Sequence, residues 1–224
     1  DSNAKDYADL LYGPPIKVRF PQTPLTEGSR VISSSTQGGD DFSSYRAFDD
    51  IYGENAKSVY TTPQRGGWLS DSTDTSSLVV NGVTTIGRYL YIDIKPDSTM
   101  AIITSFQMYA MLERFPIEYH VVGSNDTTSW TSLYHTEAAE TAGSIPHGEY
   151  NTGFTPEISL TSNYVHYQYV GLLVISQPEF FGANTSIQEL LLYSIRGDTT
   201  VLEDKTQYQT TTEGVTNFDS DIIP

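Results

Sequence analysis

The chain has 224 residues and no cysteine, with 12 Lys and Arg against 28 Asp and Glu, a formal charge of −16. That length suits one large domain or two small ones around a single core. The charge argues against any sequence-independent grip on phosphate backbones or anionic lipid. No apolar run approaches the ~20 residues of a membrane helix, and a chain without thiols makes no disulfide, thiolate zinc site or cysteine nucleophile.

A start at Asp1, with neither methionine nor an apolar leader, reads as an excised or processed piece. Residues 1–24 hold four prolines and little periodicity, and are expected to be a lead-in or linker. The 51 Ser and Thr and 16 Tyr favour strands joined by polar turns over helices. Alternation supports this from Arg88 to Pro96, where Leu90, Ile92 and Ile94 share one face and Tyr89, Tyr91 and Asp93 the other. Ile102, Thr104, Phe106, Met108 and Ala110 form the next inward series. Ile117, Tyr119 and Val121 form another, ending at the turn signal Gly123-Ser124-Asn125-Asp126. Val165–Ile175 turns apolar on both faces, as a central strand does, and Ile187–Ile195 closes the series. Residues 198–224 carry six acidic residues against Lys205 alone and read as an acidic, polar extension. The expected organisation is a lead-in (1–24), a β-sandwich with long loops (25–197) and that extension.

Two segments carry candidate chemistry. Asp49-Asp50-Ile51-Tyr52-Gly53-Glu54-Asn55 clusters carboxylate and amide oxygens of the kind a hard cation takes, and reads equally as a solvated acidic turn. Gln177-Pro178-Glu179-Phe180-Phe181-Gly182 puts two adjacent aromatics in a loop, where they either plug the end of a sandwich or present a face to a ligand. Catalysis finds little footing. His120, His135, His147 and His166 lack zinc-protease spacing, and there is no G-x-S-x-G elbow or phosphate-cradling glycine loop. His120 and His166 are expected within strands, Trp130 in the core. Two sequons, Asn125-Asp126-Thr127 and Asn184-Thr185-Ser186, fall in expected loops. The chain is expected not to be an enzyme.

Several segments, in order over residues 42–197, resemble discoidin domains, the coagulation-factor V/VIII C-type or galactose-binding-like family. Tyr45-Arg46-Ala47-Phe48-Asp49-Asp50 resembles the opening A-F-D-G, with Asp50 where the family has glycine. Ser58-Val59-Tyr60-Thr61-Thr62 stands at the T-x-W segment, with Tyr60 for the tryptophan. Tyr89–Ile94 resembles the W-L-Q-I-D-L strand, and Ile103–Phe106 the strand after it. Arg114-Phe115-Pro116, Val122–Asp126 and Trp130–Leu133 resemble R-x-P … G-S-N-D-G-x-x-W-x-x-L, and Ser186–Leu190 the closing I-x-E-L strand.

The resemblance implies a jelly-roll β-sandwich of about eight strands, with ligands bound in loops at one end. A sugar site pairs an aromatic face with hydrogen-bonding side chains, and the loops offer Trp68, Arg114, Phe115, His147, Tyr150, Phe180 and Phe181 for it. Arg114 reads equally as a structural ion-pair partner. The resemblance also implies a structural calcium ion held by Asp49, Ser58 and Glu189. The expected function is a non-catalytic module for carbohydrate or another cell-surface ligand, in a larger extracellular or virion-surface protein. The alternative is a structural component of a virus particle, partnered by neighbouring capsid or fibre subunits. Neither nucleic acid nor membrane insertion is expected.

Overall fold

The structure, a computed structural model, describes residues 16–26, 30–37, 42–52, 67–96, 102–110, 115–136, 154–160, 165–177 and 184–196. Arg19–Ser194 forms one compact unit; Asp1–Val18 and Ile195–Pro224 group as a second, of which residues 16–18 and 195–196 are described.

Twelve strands are described: β1 (Ile16–Phe20), β2 (Val31–Ser33), β3 (Trp68–Leu69), β4 (Ser77–Val80), β5 (Val83–Ile86), β6 (Arg88–Asp93), β7 (Ile103–Ala110), β8 (Glu118–Ser124), β9 (Thr131–Thr136), β10 (Ile158–Ser159), β11 (Tyr169–Ser176) and β12 (Ser186–Arg196). One sheet runs β1-β12-β7-β10, with β3 also on β12. The second runs β2-β6-β11-β8-β9, and β4–β5 stands apart as a hairpin. The expected count of about eight omits pieces two or three residues long, β2, β3 and β10, which are too short to show a period.

The second sheet follows its sequence pattern. Leu90 and Ile92 of β6, Val170, Leu172 and Val174 of β11, and Tyr119 and Val121 of β8 are all fully buried. They are cross-strand neighbours on one face, with Leu172 opposite both Leu90 and Val121. Phe106 of the other sheet closes on them, its ring 6.3 Å from Tyr119 and 5.6 Å from Tyr134. Each such side chain contributes about 1.5–3 kcal/mol by leaving water. β11 lies between β6 and β8 and is buried on both faces, as its apolar run implies.

The opposite face is covered by an element the alternation did not reveal. Asn81 and Gly82 have φ of 50° and 81°, the two left-handed residues of a tight turn that turns β4 back into β5. Leu78 and Val80 of that hairpin pack on Val122, Trp130 and Leu173, with Tyr89, Tyr91 and Tyr169 around them. Trp130 is therefore core, as expected. Its backbone N–H donates to Val79 O and its carbonyl accepts from Asn81 N, which fastens the hairpin to the sheet.

Three expectations change. The inward series of β7 shifts phase: Ile103 is buried rather than Ile102, while Phe106 and Met108 keep their places. The register with β12 breaks between Tyr193 and Ser194, opposite this point, and a one-residue slip turns every side chain to the other face. β11 begins at Tyr169, so His166 precedes the strand expected to hold it. Within the stretch read as lead-in, Ile16–Phe20 forms β1 with Phe20 buried, and Leu25, just after that stretch, is buried with its N–H donating to Phe48 O. The flanking prolines hid the alternation of Ile16, Val18 and Phe20.

Candidate functional site

Several described strands finish together at one end of the sandwich. At that end β7 finishes at Ala110, opposite Ile187 near the start of β12. β8 starts opposite the finish of β11, with Ser176 beside Glu118, and β9 finishes with Thr136 beside Tyr119. Thr155 N donates to Met108 O, and Ile117 N to Ser176 O. Residues 53–66, 111–114, 137–153 and 178–183 lie outside the described residues; Tyr52, Ala110, Thr136, Phe154 and Gln177, which precede or follow them, are at this end. Arg114, His147, Tyr150, Phe180, Phe181 and Ser58 lie outside the described residues, in those four stretches.

The feet of residues 178–183 are held firmly. Arg88, a buried cation, donates from Nη1 to Gln177 Oε1 at 2.7 Å, from Nε to Asp71 O and from Nη2 to Ser72 O. On the far side, Asn184 Nδ2 donates to Gln37 Oε1 and to Ser70 O, both at 2.7 Å, and Thr185 N to Ser70 Oγ. Tyr52, Tyr109 and Phe154 add an aromatic cluster here, with Tyr52 and Phe154 edge-to-face at 4.7 Å.

Two expected ligand residues are instead core. Trp68 is 0% and Phe115 1% exposed. Trp68 sits in β3, paired to Ile187, with Nε1 donating to Ser35 O at 2.8 Å. Neither ring has a face left for a sugar. Both stand where a chain turns inward beside a loop, so sequence position alone did not separate wall from rim.

Asp49 and Glu189 do come together. A 3-10 helix, Ser44–Phe48, buries Ala47 and Phe48 and delivers Asp49 to its end. Asp50 follows at φ 63°, the left-handed region, where the resembled family has glycine. That backbone turn aims Asp50 N–H at Glu189 Oε2, 3.1 Å away. Glu189 is 0% exposed, at a register break in β12 between Ile187 and Glu189. Arg19 Nη2 lies 3.0 Å from Glu189 Oε1 and 2.5 Å from Asp50 Oδ1. Asp49 accepts from Ile51 N at Oδ1 and from Arg46 Nη1 at Oδ2.

Burial pushes the Glu189 carboxyl up to about 9, against the pull of Arg19 and with the added push of Asp50 and Asp49. Burial likewise raises Asp49, opposed by the Ile51 N–H and Arg46. For the calcium ion that the resemblance implies, the test is whether oxygens are available. Both oxygens of Asp49 and both of Glu189 already accept from protein donors. Among the described residues, no group of three or more His, Asp or Glu is arranged to hold a metal ion. Each of those carboxylate oxygens thus has one of its acceptor positions taken, and the described residues alone do not assemble a calcium site. Sequence reasoning missed Arg19 inside the proline-rich stretch, and Arg88, an arginine opening an apolar strand.

The histidines of β8 and β9 pair across strands. His120 and His135 stack at 4.0 Å with planes 11° apart, and His120 Nδ1 meets Ser132 Oγ at 2.8 Å. Burial, then His135, lowers His120 to about 4.

No family model matches the sequence, and no characterised protein matches it in a sequence comparison. Solved structures match its shape. The family 32 carbohydrate-binding module of C. perfringens NanJ, solved in complex with galactose, aligns with a TM-score of 0.50 at 15% identity, over 80% of this chain and 100% of that one. A family 32 module from a family 31 glycoside hydrolase of Clostridium perfringens aligns at 0.47 and 14% identity, over 74% and 91%. Chitosan-binding module 1 of a chitosanase/glucanase from Paenibacillus sp. IK-5 aligns at 0.45 and 19%, over 74% and 95%. The first alignment shows the fold alone, a jelly-roll β-sandwich.

Proposed function

We propose that this chain is a non-catalytic carbohydrate-binding module acting outside the cell as part of a larger protein. The observation that supports the proposal is that Ala110, Thr136, Phe154 and Ser176, described residues beside the stretches 111–114, 137–153 and 178–183, stand at one end of a sandwich whose fold is shared with a module solved in complex with galactose. Those stretches supply Arg114, His147, Phe180 and Phe181. An arginine and a histidine donate to sugar hydroxyls, and a phenylalanine ring packs on the C–H face of a pyranose. Fold alone does not give function, so the weight rests on this grouping.

The test is a glycan array probed with the full 224-residue chain beside Arg114→Ala. Specific binding by the parent that falls at least tenfold in the variant, with an unchanged melting temperature, is the expected result. A folded chain that binds no glycan overturns the proposal and favours an assembly role.

A further inference from the structure

Glu189 is a carboxylate with no solvent contact, flanked in β12 by the fully buried Ile187, Leu190 and Leu192. A carboxyl so placed needs filled hydrogen-bond positions and, when ionised, a counter-charge. Both are present within the chain. Arg19 reaches Oε1 at 3.0 Å and the Asp50 N–H reaches Oε2 at 3.1 Å. Arg19 also pairs with Asp50, so one guanidinium lies between two carboxylates. A few ångströms along the same turn, Arg46 and the Ile51 N–H occupy Asp49.

Calcium would require six to eight oxygens at about 2.3–2.6 Å. To gain even Glu189 and Asp50 it would have to displace the guanidinium and leave that cation beside a divalent one. The Arg19 side chain is 31% exposed, so it meets the buried carboxylate while keeping part of its hydration, a cheaper way to neutralise the group than stripping a metal ion of water.

We propose that the Arg19 guanidinium is the resident cation of this domain, standing where the discoidin resemblance expects calcium and tying β1 to the Asp49–Asp50 turn and to β12. The domain then keeps its fold without a metal ion, and its stability depends on β1.

The experiment is thermal unfolding of the full chain in excess EDTA and in millimolar calcium, with Arg19→Gln and Arg19→Lys alongside. The parent is expected to melt at the same temperature in both buffers. Arg19→Gln is expected to melt lower by roughly 5 °C, the effect of taking the guanidinium donor away from the buried Glu189 carboxyl in a domain this size, and Arg19→Lys to recover part of the loss. Calcium that raises the parent's melting temperature by several degrees overturns the proposal. So does Arg19→Gln melting with the parent. If Arg19→Gln does not fold, the parent's two melts and the lysine variant decide the matter. These readouts involve no sugar, so failure here and failure of glycan binding are separate results.

Discussion

The backbone N–H of Asp50 donates to Glu189 Oε2 across 3.1 Å, joining residues 139 apart in sequence. Asp50 reaches that position only because its backbone adopts φ 63°. The opening and closing segments of the jelly roll thus meet through a strained turn and a buried acid.

The strain can be measured. A residue with a Cβ costs roughly 1–2 kcal/mol in the left-handed region, less for aspartate and nothing for glycine. Asp50→Ala and Asp50→Gly both remove the half-exposed contact with Arg19, worth about 0–1 kcal/mol. They differ in backbone cost. Asp50→Ala is expected to be about 1–2 kcal/mol less stable than Asp50→Gly in urea unfolding. Equal stabilities would show that the turn relaxes to ordinary backbone.

Two buried groups pull the pH profile in opposite directions. Glu189 is raised from 4.5 to about 9, chiefly by burial, so its contribution is complete below 4.5 and is lost as pH climbs towards 9. His120 is lowered from 6.5 to about 4, chiefly by burial, so its contribution is complete above 6.5 and is lost as pH falls towards 4. The slopes oppose one another from 4.5 to 6.5, and above 6.5 only the fall from Glu189 remains. Urea midpoints between pH 6.5 and 9 should therefore decline, and Glu189→Gln, which keeps an acceptor oxygen without a charge, should flatten the decline. A parent profile that rises over this range would contradict the assignment.

The two sequons are unequal. Asn184 is buried and spends both Nδ2 hydrogens, on Gln37 Oε1 and Ser70 O. A glycan would take one of those hydrogens and the space around it. Asn125 donates Nδ2 to His166 O at an exposed position, a bond that one remaining hydrogen still makes. Folded chain from a glycosylating host is expected to carry sugar at Asn125 and none at Asn184, as read by peptide mass spectrometry. Asn184→Ala is expected to cost about 1–3 kcal/mol, the penalty of unmade buried hydrogen bonds. A folded fraction glycosylated at Asn184 would refute the packing described.

The long strands were legible because their burial is uniform. Leu90 and Ile92 alternate with Tyr89 and Tyr91 across a sheet covered on both faces, and β11 is apolar throughout. Elements set by contacts distant in sequence were not. Two residues suffice for β3 because Ile187 lies opposite Trp68, and nothing local announces that. The β4–β5 hairpin went unread, because its exposed strand residues Val79, Val83 and Ile86 give no clean alternation. In the site, Asp49 and Glu189 were legible through the family pattern. Arg19 was not, since an arginine among prolines has no local reason to seek a buried acid.

Gln177 and Asn184 are posts fixed from below, the first by Arg88 and the second by Gln37 and Ser70. The six positions between them take no part in those bonds. A display library that rewrites 178–183 therefore leaves the partners of both posts unaltered in sequence, so its members can be compared on a shared pair of anchors.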